Sequence, residues 1–157
     1  MIIRRAEPKD ADRVLALLSQ VLEIHARIRP DIFVPGTTKY SREEVLAIFA
    51  CESTPVLVAV DEKDDVMGYA FCDLRESAPR DNLVPRRLVY IDDLCVDERY
   101  RGRHVGEALF RFVTGEAKRN GCYEVILAVW EGNDGARRFY ETMGMKPKET
   151  IMEYILE

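Results

Sequence analysis

Residues 101–106 read Arg-Gly-Arg-His-Val-Gly. They separate a strand-like run ending at Val96 from a helical stripe made of Val105, Ala108, Leu109, Phe112, Val113 and Ala117. A short turn that opens a helix presents several unpaired backbone N–H groups, and such a turn cradles phosphate. The helix is expected from about His104 to Asn120, with Gly121 as its left-handed cap. A second signal follows: Asn133-Asp134-Gly135-Ala136-Arg137-Arg138-Phe139-Tyr140-Glu141-Thr142-Met143-Gly144 caps, forms and stops another short helix. Together the two stretches point to a phosphate-bearing ligand lying near a phenol.

Working outward, Ile2 to Ala6 reads as a first strand, and Pro8-Lys9-Asp10 opens a helix. Ala11, Val14, Leu15, Leu18, Leu22 and His25 share one face of that helix, which ends by Pro30. A loop over residues 31–40 leads to Ser41 and Glu44, a capping box ahead of a second short helix. Val56 to Val60 and Val66 to Leu74 form a hairpin around the polar run 61–65. Pro79, Asn82 and Pro85 mark the next stretch as loop, and Leu88 to Val96 returns to strand. Tyr123 to Val129 is a further strand, and Met145 with Ile151 to Leu156 supplies the last one. Hairpins demand antiparallel pairing, whereas the crossover through the helix near 104–120 allows a parallel pair. The expected fold is therefore α/β, a mixed and mostly antiparallel sheet flanked by helices. At 157 residues the chain is read as a single domain, 1–157.

The acidic excess, 28 carboxylates against 23 basic residues, argues against a nucleic-acid partner. No apolar stretch approaches the length of a membrane span. Cys51, Cys72, Cys95 and Cys122 form no close pair, so reduced thiols and a cytoplasmic setting are expected. His25 and His104 are not at metal-ligand spacing from the cysteines, so no metal is expected. The turn at 101–106 also lacks the lysine and hydroxyl of a nucleotide P-loop.

The sequence resembles the GCN5-related N-acetyltransferase (GNAT) superfamily over essentially its whole length. The resemblance rests on Arg/Gln-x-x-Gly-x-Gly/Ala, here Arg101 to Gly106, and on Asn133, Ala136, Phe139, Tyr140, Gly144 and Met145. It implies the acyl-CoA N-acyltransferase fold and acetyl-CoA as co-substrate, with coenzyme A as product. It also implies direct transfer of an acetyl group to a primary amine in a ternary complex. Arg101, Gly102, Arg103, His104, Val105 and Gly106 would bind the pyrophosphate. Leu94, Cys95 and Val96 would line the pantetheine arm through strand-edge backbone groups, and Asn133, Ala136, Phe139 and Tyr140 would complete the cofactor site. His104 stands where the family has its central glycine. The first turn of a helix uses ordinary negative φ, so a side chain is expected to be tolerated there.

In the family, the tyrosine matching Tyr140 protonates the departing thiolate; a tyrosine on such a stripe otherwise packs in the core. Asn133 is expected to hold the cofactor arm or to cap its helix. Asp92 and Asp93 break an apolar strand, and alternation puts them on opposite faces unless a bulge intervenes. Asp92 occupies the place of a frequent family glutamate and is the expected catalytic carboxylate, taking the acceptor's proton. His25, Phe33, Asp92, Asp93 and Glu131 are the expected acceptor-binding residues, while Trp130 serves equally as packing. The acceptor is a small-molecule amine, cationic by the acidic pair, or a peptide N-terminus. A non-catalytic acyl-CoA-binding or protein-interaction domain is the alternative from another class, and a homodimer is left open.

Overall fold

The computed structural model describes residues 1–77, 80 and 82–156. Pro79, one of the expected loop markers, lies outside the described residues. Strand β1 (Ile2–Arg5) is followed by a 3-10 turn at Pro8–Asp10 and by helices α1 (Ala11–Ile28) and α2 (Arg42–Phe49). Then come β2 (Val56–Val60), β3 (Val66–Glu76), β4 (Arg87–Val96), a 3-10 turn at Glu98–Tyr100, α3 (Val105–Arg119), β5 (Glu124–Leu127) and α4 (Asp134–Thr142). The sheet runs β1-β2-β3-β4-β5. The first four strands are antiparallel, and β5 joins β4 in parallel through the α3 crossover.

Each face of the sheet is covered by two helices. Val14, Leu17 and Leu18 of α1 and Val45 of α2 pack on Val56, Val58, Val60, Tyr69 and Phe71. On the other face Val105, Leu109, Phe110 and Val113 of α3 pack on Leu57, Ala59, Met67, Ala70, Val89 and Ile91. A strand sandwiched this way is buried on both sides, which is why β2 is an unbroken apolar run. The expected capping box is present: the Glu44 N–H donates to Ser41 Oγ at 3.2 Å and the Ser41 N–H to Glu44 Oε2 at 2.7 Å. One contact is closer than any side chain permits. A Cβ on Gly68 of β3 would stand 2.6 Å from the Cys95 carbonyl oxygen and 3.3 Å from Leu109 Cδ1.

The expected last strand does not form. Residues 145–156 join no strand, and Ile151, Met152, Tyr154, Ile155 and Leu156 are all exposed. An apolar, β-prone run becomes a strand only where it finds a backbone partner and a covered face, and among the described residues this segment has neither. It is tied to the end of α1, where Arg29 donates to Glu153 at 2.7 and 3.1 Å.

Candidate active site

The site begins with one extra residue. Phe71 of β3 pairs with Asp93 and Cys72 with Ile91, so Asp92 is bulged out of β4. The bulge cancels the alternation that would separate the two carboxylates. Asp92 Oδ2 accepts from Lys39 Nζ at 2.6 Å and from the Tyr40 hydroxyl at 3.3 Å. Asp93 accepts from the hydroxyl of the fully buried Tyr69 at 3.1 Å. Both therefore reach groups on the side covered by α1 and α2. Loss of surrounding water pushes the Asp93 carboxyl up to about 6, against the opposing pull of Lys39 and Tyr69.

The bulge also marks where the sheet opens. Pairing with β5 covers Leu88 to Ile91 and stops. Beyond it β4 keeps β3 as partner, through Val96, but among the described residues has no strand partner on the β5 side. The backbone edge at Leu94, Cys95 and Val96 is thus left unpaired by any described strand on that side, and Val96 lines a cleft. Leu94 and Val96 lean on the α3 layer, and Cys95 is buried in the α1 layer. Its thiol points at the Leu17 carbonyl oxygen, 3.7 Å away, and burial pushes it up to about 12, so it is a poor nucleophile.

At the end of β4 the fully buried Asp97 fixes the turn. Its carboxylate accepts from the Arg99 N–H at 2.9 Å and from the Arg99 guanidinium at 2.8 and 3.0 Å, and it also contacts Arg13. Gly102 follows with φ +74°, and then His104 with φ +60° and ψ +17°. This corrects the expectation of an ordinary helical φ at His104. The helix starts at Val105, one residue later, and His104 is its N-cap in the left-handed region. The turn must reverse before the helix can begin, and that geometry explains the preference for glycine here. The imidazole is exposed, with Nδ1 3.1 Å from Glu107 Oε2.

Arg101, Gly102, His104, Val105 and Gly106 line a cleft of about 540 Å³ together with Val96 and Phe139. Arg99 and Arg103 both lie against the Tyr100 ring, 5.7 and 5.5 Å from its centroid. Phe139 and Tyr140 of α4 pack against each other at 5.0 Å, and Tyr140 lies 6.1 Å from Phe110. Burial raises the Tyr140 phenol well above its ordinary value and the Asp93 charge adds to this, so it holds its proton throughout the physiological range. Asn133 caps α4, its Oδ1 accepting from the Ala136 N–H at 3.3 Å.

His25 and Phe33 meet at 5.2 Å, and Phe33 meets Trp130 edge-on at 5.3 Å. Burial lowers the His25 pKa, and the nearby Lys39 charge lowers it further. Glu131 stands apart from the other carboxylates: it is 90% exposed and accepts from Arg137 at 2.9 Å. Beside Asp92 a smaller cavity of about 230 Å³ is lined in part by Tyr40, Phe71 and Arg75. Lys39, Tyr69 and Asp97 were not singled out by sequence. Tyr69 and Asp97 gain meaning only from burial, and Lys39 only from a loop whose path no periodicity reveals.

The sequence profile described as Acetyltransferase (GNAT) family matches residues 18–145. The chain belongs to this family. It is 33% identical over 155 residues to the thialysine N-epsilon-acetyltransferase of Sus scrofa, covering 93% of this chain and 84% of that protein. It is 38% identical over 63 residues to the glucosamine 6-phosphate N-acetyltransferase of Arabidopsis thaliana, 40% of each chain. The chain spans about two fifths of the length of several curated relatives it matches. A crystal structure of a mutant of the BH1408 protein from Bacillus halodurans superposes with a TM-score of 0.96 at 34% identity, covering 100% of both chains.

Proposed function

We propose that the chain, as a single unit over residues 1–157, is an acetyl-CoA-dependent N-acetyltransferase acting on a small cationic primary amine by direct transfer in a ternary complex. The observation that carries this is the bulge at Asp92. It ends β4–β5 pairing on the side of the phosphate-type turn and turns two carboxylates toward the opposite layer.

The residues present fit acetyl-CoA. The unpaired edge at Leu94–Val96 would hydrogen-bond the pantetheine amides. The left-handed turn at Gly102–His104 and the start of α3 would hold the pyrophosphate with backbone N–H groups, with the charge of Arg101 nearby. When bound, acetyl-CoA supplies an activated acyl group on sulfur. The chain's own residues manage two protons. Asp93, its carboxyl near neutrality, takes the proton from the acceptor ammonium, because a base works best with a pKa near the working pH. Tyr140 keeps its proton and delivers it to the departing sulfur. Asp92 attracts the cation electrostatically, while Phe33 and Trp130 wall the entry. This gives Asp93 the base role expected of Asp92 and keeps Asp92 among the acceptor-binding residues.

The family and the amine acceptors named in its relatives support the reading: glucosamine 6-phosphate, thialysine and spermine/spermidine. A panel of polyamines, amino acids, aminoglycosides and peptide N-termini, assayed with acetyl-CoA, tests it. Turnover should favour the cationic small amines. Preference for neutral peptides would move the acceptor to a protein N-terminus, and cofactor binding without turnover of any amine would leave a non-catalytic acyl-CoA-binding domain.

A further inference from the structure

The carboxylate at the β4 bulge is paired with an ammonium of the chain itself. Lys39 Nζ sits 2.6 Å from Asp92 Oδ2 and 5.2 Å from the centroid of the Tyr40 ring. The Tyr40 hydroxyl donates to the same carboxylate oxygen at 3.3 Å, and the Tyr40 ring is braced by Phe71 at 5.9 Å. A carboxylate beside an aromatic face is the set of groups that recognises an alkylammonium. Lys39 belongs to the loop between α1 and α2, its partners Tyr40 and Asp92 line the cavity of about 230 Å³, and its side chain is 41% exposed. Desolvation opposes its charge, yet Asp92 and Asp93 outweigh it and keep the ammonium protonated. The same charge is felt by His25, so it lies among the acceptor-side groups.

We propose that Lys39 is an internal competitor for the acceptor's ammonium subsite, so that a cationic acceptor enters by displacing Lys39 from Asp92 and Tyr40. Lys39 thereby sets specificity. An acceptor must outcompete a tethered primary ammonium, which favours amines with more than one positive charge over those with one. The subsite contains Asp92, the carboxylate assigned above to the acceptor's charge, so the inference rests on the acetyltransferase reading for its catalytic consequence, but not for its binding consequence.

The test uses the full chain and two substitutions, Lys39→Met and Lys39→Arg, with spermidine as the dication-or-higher probe. An arylamine uncharged at neutral pH serves as the control. Lys39→Met should lower the KM for spermidine by about two- to fivefold, the range spanned by a partly exposed ion pair, and should move kcat less. The arylamine KM should not follow, and Lys39→Arg, which keeps a tethered cation on Asp92, should not lower the spermidine KM. Calorimetric titration of spermidine into the protein saturated with coenzyme A should show the same shift in Kd, whether or not the protein turns over. In the parent, the carbon-13 resonance of dimethylated Lys39 should move toward its free-solution position as spermidine is added, which needs no substitution to fold. A spermidine Kd that is unchanged or weaker in Lys39→Met, with a Lys39 resonance indifferent to spermidine, overturns the proposal. Absence of acetyl transfer with the Kd shift intact would instead overturn the acetyltransferase reading and leave the subsite standing.

Discussion

Replacing His104 by glycine should stabilise the protein. The residue sits at φ +60° and ψ +17°, where an L side chain crowds its own carbonyl at a cost of about 1–2 kcal/mol. Glycine removes that cost but gives the unfolded chain more freedom, returning about 0.5–1 kcal/mol. The exposed contact to Glu107 is also lost, and it weighs little. The balance is a gain of about 0.5–1 kcal/mol. For a chain of this size that raises Tm by about 1–4 °C. Urea unfolding should show a higher midpoint with an unchanged slope. His104→Ala separates the causes, because it removes the imidazole and keeps the Cβ in the left-handed region. It should be no more stable than the parent. If alanine matches glycine, the backbone is not the source of the gain and the strain argument fails. Both variants should retain coenzyme A binding, since the backbone N–H groups of the turn remain; a large loss would show that the imidazole itself holds the ligand.

Tyr140→Phe keeps the ring against Phe110 and Phe139, so thermal stability should hold while the single-turnover rate falls by about 10²-fold or more; an unchanged rate would make Tyr140 a packing residue. Asp93 is held up to about 6 by desolvation, above the 3.8 of an ordinary aspartate, so the native state binds the extra proton and stability is lost as pH rises from about 4 through about 6. Asp93→Asn should therefore unfold at higher denaturant than the parent at pH 8, by up to about 3 kcal/mol, with the difference vanishing at pH 4. The same variant should lack the rise in kcat/KM that the parent shows through pH 6, and a parent limb retained in Asp93→Asn would exclude Asp93 as the base. Gly68→Ala drives a methyl into the Cys95 carbonyl oxygen and should cost about 1–3 kcal/mol of stability by guanidinium unfolding; a neutral outcome would mean that β3 and β4 can part at no cost.

Much of the local structure around this site is legible in the sequence. The turn at 101–106 and the Asn133–Gly144 helix carry local signals: a cap, a glycine, a stripe with a 3.6-residue period. The left-handed stop at Gly121 and the Ser41–Glu44 box were equally readable, because each is completed within a few residues. The reading faltered where a local rule needed a distant partner. The apolar residues of 151–156 suggest a strand that finds no neighbour among the described residues, and the φ at His104 is set by the turn that feeds α3 rather than by the average helix.

The order of elements, the crossover and the place of the turn that opens α3 follow from the chain alone, since short-range periodicity and turn chemistry decide them. The two carboxylates were visible as a break in an apolar strand. Their different partners were not. They depend on one bulged residue that places Asp92 under Lys39 and Tyr40 and Asp93 on a buried tyrosine. Burial, desolvation and the register of one strand against the next are set by contacts between residues far apart in sequence. Only the packed structure brings those residues within reach of one another.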